Sequence, residues 1–158
     1  MKTMHLYLET TMFDYYFDVE REYHPETVRL FEEILRGTYV SYTSEYAVIE
    51  LSNAPEPKRS KMLSLVGSFG INMLAFDEEA ERLADLYVVH GVIPAKYRMD
   101  ATHIAVAAIH GLDCVLSFNF EHINKLRTKR MTELINLGAG YKGIMICTPM
   151  EVLEHDSE

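Results

Sequence analysis

Met4-His5-Leu6-Tyr7-Leu8-Glu9-Thr10-Thr11 is the stretch on which the fold turns. A short apolar and aromatic run breaks off at an acid followed by two hydroxyls, so it reads as a first strand that ends at Glu9-Thr10-Thr11. Helix follows in two pieces, over 12–19 and over 26–36, the second with apolar Val28, Leu30, Phe31 and Leu35 and a stop at Gly37. The β-branched and aromatic run 39–43 gives a second strand, and Ser44 is placed to cap a helix through Ser52.

The same alternation continues along the chain. A helix is expected over 57–68, a third strand over 71–75, and a helix over 78–90 whose first turn carries Glu78, Glu79 and Glu81. A helix over 99–110 ends at Gly111 and leads to a strand over 113–117. A helix over 128–137, a last strand over 144–147 and a short helix opened by Thr148-Pro149 complete the chain. Strands alternating with helices imply an α/β, three-layer α/β/α sandwich around a mostly parallel sheet. One domain over 1–154 is expected, with 155–158 as a tail.

Bulk properties exclude several classes. The chain has 158 residues, 48% apolar and 25% charged, an ordinary globular balance. Its start is not that of a signal peptide, because the apolar run after Lys2 is short and meets Glu9. No stretch approaches the ~20 apolar residues of a membrane span, so a cytoplasmic protein without a membrane partner is expected. Cys114 and Cys147 lack paired spacing and sit in apolar runs, the pattern of reduced, buried thiols. The net charge of −9 argues against broad, non-specific nucleic-acid binding, though not against an enzyme that acts on RNA through a local patch.

In open parallel sheets ligands bind beyond the carboxyl ends of the strands. Glu9 follows the first strand, Glu45 and Glu50 lie on the helix after the second, Asp100 opens the helix over 99–110, and Asn119 and His122 follow the strand over 113–117. Oxygen donors of this kind suit Mg²⁺ or Mn²⁺. Carboxylates after strands also serve as caps and solvated loop residues. Glu45 and Glu50 lie about 140° apart around a helix, flanking the stripe of Ala47, Val48 and Leu51 equally, so periodicity does not choose between them. His103 shares a helix face with Asp100 and reads as a satisfied core group or as support for a ligand. Thr10 offers a hydroxyl either to the site or to its own turn.

The motifs sharpen this edge. Leu6-Tyr7-Leu8-Glu9-Thr10-Thr11 resembles the opening strand of PIN domains, which usually carry Asp at the Glu9 position. Asp100-Ala101-Thr102-His103-Ile104-Ala105 is similar to the D-A-x-H-I-A stretch of toxin-like PIN proteins. Leu116-Ser117-Phe118-Asn119-Phe120-Glu121-His122-Ile123 resembles their Asn-Phe-x-His segment, and Thr148-Pro149-Met150-Glu151 their terminal T-P-x-E. The resemblance implies an Mg²⁺- or Mn²⁺-dependent endoribonuclease, often the VapC-like toxin of a VapBC-type toxin–antitoxin pair. RNA, an antitoxin and a second copy of the chain are its expected partners. Carried over by position, Glu9, Glu50 and Asp100 form the acidic cluster, and Asn119 stands where many PIN domains keep a fourth Asp. Two departures follow: Glu9 is a methylene longer than Asp, and Asn119 carries no charge.

Three further features stand out. Lys125, Arg127, Lys129 and Arg130 form the densest basic run, either a phosphate contact or a solvated helix start; Lys58, Arg59 and Lys61 form a second cluster. The run Gly138-Ala139-Gly140-Tyr141-Lys142-Gly143 fits G-x-G-x-x-G but follows a helix and precedes a strand, the reverse of the nucleotide-binding context, and reads as a helix cap and turn. The aromatic stretch Met12-Phe13-Asp14-Tyr15-Tyr16-Phe17 reads as core or as a partner-binding face. Two other functions remain as rivals. A PIN-like binding module without catalysis is motivated by Glu9 and Asn119. A phosphatase with an Asp nucleophile is disfavoured, since the first strand ends Leu8-Glu9-Thr10 rather than D-x-D.

Overall fold

The first strand becomes the middle of the sheet. In the computed structural model, which describes residues 2–156, five parallel strands stand in the order β3-β2-β1-β4-β5. They are β1 (Met4–Leu8), β2 (Tyr39–Ser44), β3 (Asn72–Leu74), β4 (Cys114–Leu116) and β5 (Met145–Cys147). The helices are α1 (Thr10–Phe17), α2 (His24–Leu35), α3 (Glu45–Ser52), α4 (Lys58–Ser68), α5 (Glu78–Val89), α6 (Arg98–Ile109), α7 (Leu126–Ala139) and α8 (Pro149–Asp156).

Strand side chains alternate between the faces of a sheet, and β1 shows why this sheet is covered on both. Leu6 and Leu8 pack with Leu30 and Phe31 of α2 and Val152 of α8. Tyr7, between them, packs with Tyr87 of α5 and Ile104 of α6. A strand buried on both sides needs apolar residues on both, which accounts for the run Leu6-Tyr7-Leu8. Helix α6 is enclosed all round: every residue from Asp100 to Ala108 is buried. Its alanines at 101, 105, 107 and 108 let it lie close against its neighbours, and that closeness carries Asp100 and His103 inward.

Element boundaries differ from the sequence expectation for local reasons. Helix α1 begins at Thr10 rather than at Met12, because Glu9 is already extended and its carbonyl accepts the Met12 N–H at 3.0 Å. It ends at Phe17, two residues short of the expected stop. Helix α7 is longer at both ends than 128–137 and closes on Gly140, whose φ of 88° is the left-handed conformation of a helix terminus. The Tyr141 N–H returns to the Asn136 carbonyl at 2.9 Å, so the glycine-rich run is a cap, as its context implied. Thr148 and Glu151 form a reciprocal capping box: the Thr148 N–H donates to Glu151 Oε1 at 2.9 Å and the Glu151 N–H to Thr148 Oγ1 at 3.3 Å. The helix so started runs over 155 and 156 of the expected tail; Ser157 and Glu158 lie outside the described residues. Among the described residues no helix is long and apolar enough to cross a membrane.

The aromatic stretch of α1 is core on its inner side. Met12 and Phe13 are fully buried, and Tyr16 sits edge-on to Phe31 and Phe69. Cys114 is buried, Cys147 is half-buried, and both are free thiols.

Candidate metal centre at the carboxyl edge of the sheet

Glu9 leaves the central strand at its carboxyl end and is almost sealed from solvent, with 2% exposure. A buried carboxylate is costly without partners. Here three hydroxyls donate to it: Thr10 Oγ1 to Oε2 at 2.8 Å, Thr11 Oγ1 to Oε1 at 2.6 Å and Ser117 Oγ to Oε1 at 2.6 Å. Ser117 follows β4, the neighbour of β1, so sheet register itself brings its hydroxyl to Glu9.

A second chain of hydrogen bonds reaches the same place through the interior. Ser44 caps α3, accepting the Ala47 N–H, and its Oγ lies 2.7 Å from the Tyr7 hydroxyl. That hydroxyl is 2.6 Å from His103 Nδ1, and His103 Nε2 is 2.9 Å from Glu50 Oε1. Burial pushes the Tyr7 phenol far up, so it stays neutral. For His103 burial opposes the charged ring, but the hydrogen bond and charge of Glu50 prevail and its pKa is raised. For Glu50 burial also opposes ionisation, yet the His103 bond and charge and the Thr10 hydroxyl hold its carboxyl below the usual value.

This pair gives a pH signature. Glu50, lowered, adds stability above its ordinary value of 4.5 that is lost as pH falls through its folded value. His103, raised, adds stability below its ordinary 6.5 that fades as pH rises through its folded value. The pair therefore stabilises most between pH 4.5 and 6.5. His103→Gln is expected to flatten the dependence of melting temperature on pH on either side of that window, below 4.5 and above 6.5, in metal-free protein. A curve unchanged by that substitution would show the pair to be un-ionised.

Asp100 enters from α6. Burial pushes its carboxyl up, and the charge of Glu9 pushes it further; His103 and His122 pull the other way. Its Oδ2 lies 3.0 Å from His122 Nδ1, and the His122 ring stacks on Tyr97 with centroids 3.9 Å apart.

Glu9, Glu50 and His103 each present one ligand atom, all within 4.8 Å of one another. Asp100 lies outside this trio but within reach of its charge. The donor set is mainly carboxylate oxygen, which suits a hard divalent cation such as Mg²⁺ or Mn²⁺, and the imidazole is tolerable to Mn²⁺.

The other expected groups make local contacts of their own. Glu45 turns away to accept the Phe76 N–H at 3.0 Å, so Glu50 is the acid of α3 that meets Glu9. Asn119 Oδ1 accepts the His122 N–H at 2.9 Å and holds its own loop. Arg127 donates to the carbonyls of Gly91 and Val92, tying α7 to the end of α5.

No protein-family model matches the chain, and no curated protein matches it. Solved structures do. VapC20 of Mycobacterium tuberculosis, a toxin that cleaves the sarcin–ricin loop, superposes with a TM-score of 0.56 at 14% identity over 88% of this chain and 98% of that one. VapBC2 of Rickettsia felis, solved bound to a DNA fragment from its promoter, superposes with a TM-score of 0.57 at 12% identity, over 92% and 98%. The fold is PIN-like. In this PIN-like frame the edge that gathers Glu9, Glu50 and Asp100 is the one beyond the carboxyl ends of β1 and β4.

Sequence reasoning missed Ser117 and left His103 as either a satisfied core group or a support for a ligand. Ser117 directly precedes the Phe118-Asn119 pair at a strand end, but a lone hydroxyl there carries no signal. His103 lies three residues after Asp100, so their shared face was visible, whereas the partner of its Nε2 was not.

Proposed function

We propose that this protein is a divalent-metal-dependent endoribonuclease that hydrolyses RNA phosphodiester bonds, a VapC-like toxin of the Asn-Phe-x-His kind. The observation that carries the reading is the convergence of Glu9, Glu50 and His103 within 4.8 Å beside buried Asp100. Similarity of fold to a toxin that cleaves the sarcin–ricin loop supports it. In this reading the protein works in the cytoplasm, pairs with an antitoxin and forms a homodimer.

Glu9, Glu50 and Asp100 would hold Mg²⁺ or Mn²⁺. The ion, when bound, lowers the pKa of water and offsets charge on the phosphate. The chain's own part is positional. Thr10, Thr11 and Ser117 fix the rotamer of Glu9. Tyr7 and His103 fix Glu50. Asp100 Oδ2 faces His122 Nδ1, where a proton can be held between them. Without a cation these carboxylates repel a phosphate, so the bond to be cut should settle among them only with metal.

The test is cleavage of a mixed RNA pool with Mg²⁺ or Mn²⁺, against the same reaction with EDTA. Cleavage that depends on the ion is expected. A second reading, a binding module without turnover, is favoured by one observation: Glu9 already accepts three hydroxyl bonds and Asn119 Oδ1 a backbone N–H of its own loop. Well-folded protein that neither cleaves nor binds metal by calorimetry would establish that reading and overturn the first.

A further inference from the structure

Lys58 shares with Thr10 and Glu50 a cavity of about 400 Å³ between α1 and α4. It also lines a second cavity, of about 280 Å³, with Lys61. From Lys58 a continuous run of contacts crosses α1. Its ammonium pairs with Asp14, whose other oxygen lies 3.7 Å from Arg21. The Arg21 guanidinium sits 4.4 Å above the Tyr15 ring, and Tyr15 stacks on Phe118 with centroids 4.0 Å apart and planes 6° from parallel. The Phe118 N–H donates to Thr11 Oγ1, the hydroxyl that holds Glu9. Phe120, 48% exposed, stands edge-on to Phe118. The series starts at Glu50 and ends at Glu9, so it borders the candidate centre on both sides.

As structure alone, Lys58–Asp14 is an exposed ion pair joining α4 to α1, worth little, and Tyr15 on Phe118 is core packing. Neither accounts for two cations gathered on one carboxylate beside an acidic centre, nor for an exposed aromatic ring at the end of the stack. Cations that track a backbone beside an aromatic platform are how single strands are bound. A double helix keeps its bases stacked and has none to give to Phe120.

We propose that this face of α1 is a subsite for single-stranded RNA next to the cleaved bond, with Lys58 and Arg21 on backbone phosphates and Phe120 stacked on a base. The assignment rests on the ribonuclease reading. Asp14 then acts as the anion that RNA displaces: it pairs with Lys58 and, more distantly, with Arg21, which Asp18 also holds at 3.2 Å, when no RNA is bound.

The experiment measures binding of an unstructured, labelled oligonucleotide of about 12 residues, near the ~4–16-residue span of single-strand sites, and of a duplex hairpin. It is done in EDTA over a range of salt. Wild type should prefer the single strand. Phe120→Ala should weaken it about tenfold. Lys58→Ala should weaken it and reduce the slope of log affinity against log salt by about 0.7, while Lys58→Arg retains it. Asp14→Asn should tighten binding, the opposite sign to Lys58→Ala. Circular dichroism checks that each variant is folded. Changes of the same sign at Lys58 and Asp14, equal binding of the duplex, or no change in any variant, as for a face that serves a protein partner, overturns the subsite. Intact cleavage with unchanged binding in the variants overturns the subsite alone. The expected binding pattern in a wild type that never cleaves overturns the ribonuclease reading alone.

Discussion

Asp100→Asn should make the metal-free protein more stable and at the same time abolish cleavage. The carboxyl is 9% exposed, and burial and the charge of Glu9 both raise its pKa. A group whose pKa is raised on folding withdraws stability as pH rises through that value. At neutral pH the ionised side chain therefore works against the fold. Asn keeps the shape and an acceptor for His122 and removes the charge. The expected gain is about 2–4 °C in melting temperature, which is roughly 1 kcal/mol for a chain of this length. Loss of cleavage should exceed about 100-fold, since even groups one step removed from a metal are worth ~10–100-fold. Mg²⁺ or Mn²⁺ at about 100 times its Kd should stabilise the wild type by about 2.7 kcal/mol, and the variant much less. Calorimetric melting of both proteins, with and without metal, reads all of this. A variant that is destabilised, and that metal stabilises as much as the wild type, would remove Asp100 from the site.

That conflict between charge and burial explains how much of the centre was legible in the sequence. Glu9 was visible because an acid that ends a buried-looking strand is anomalous, and Asp100 because the stretch around it resembles a known motif. The layered fold was visible because strands alternate with helical segments along the chain. The choice between Glu45 and Glu50 was hidden: both flank the same stripe of α3, and what separates them is the distant Phe76 N–H on one side and His103 on the other. The local contact of Asn119 was hidden for a similar reason: its Oδ1 accepts the His122 N–H, and the His122 ring meets Asp100. In the basic run at the start of α7 the sequence did not show that Arg127 donates to the carbonyls of Gly91 and Val92, a contact across 36 and 35 residues.

Tyr7→Phe should lower metal affinity although the hydroxyl lies two bonds of the network away from any oxygen that would meet the ion. Tyr7 is fully buried, with its hydroxyl 2.7 Å from Ser44 Oγ and 2.6 Å from His103 Nδ1. Phe fills the same volume, so packing with Tyr87 and Ile104 is retained. What changes is that His103 Nδ1 loses its partner inside the core, an imbalance worth about 1–3 kcal/mol. The ring is then free to turn, and Glu50 loses the fixed donor that holds its carboxylate toward Glu9. Groups that orient a ligand in this way typically change metal affinity ~10–100-fold, and a loss in that range is expected for Mn²⁺ by calorimetry. Ser44→Ala separates the two effects: it removes the same network at its far end, where Ser44 also caps α3, so it should lower stability by about 1 kcal/mol with a smaller change in affinity. Equal affinity losses for the two substitutions would mean that the network acts through general stability. A loss confined to Tyr7→Phe would mean that the interior of the sheet, through one phenol and one imidazole, sets the geometry of the carboxylates at its edge.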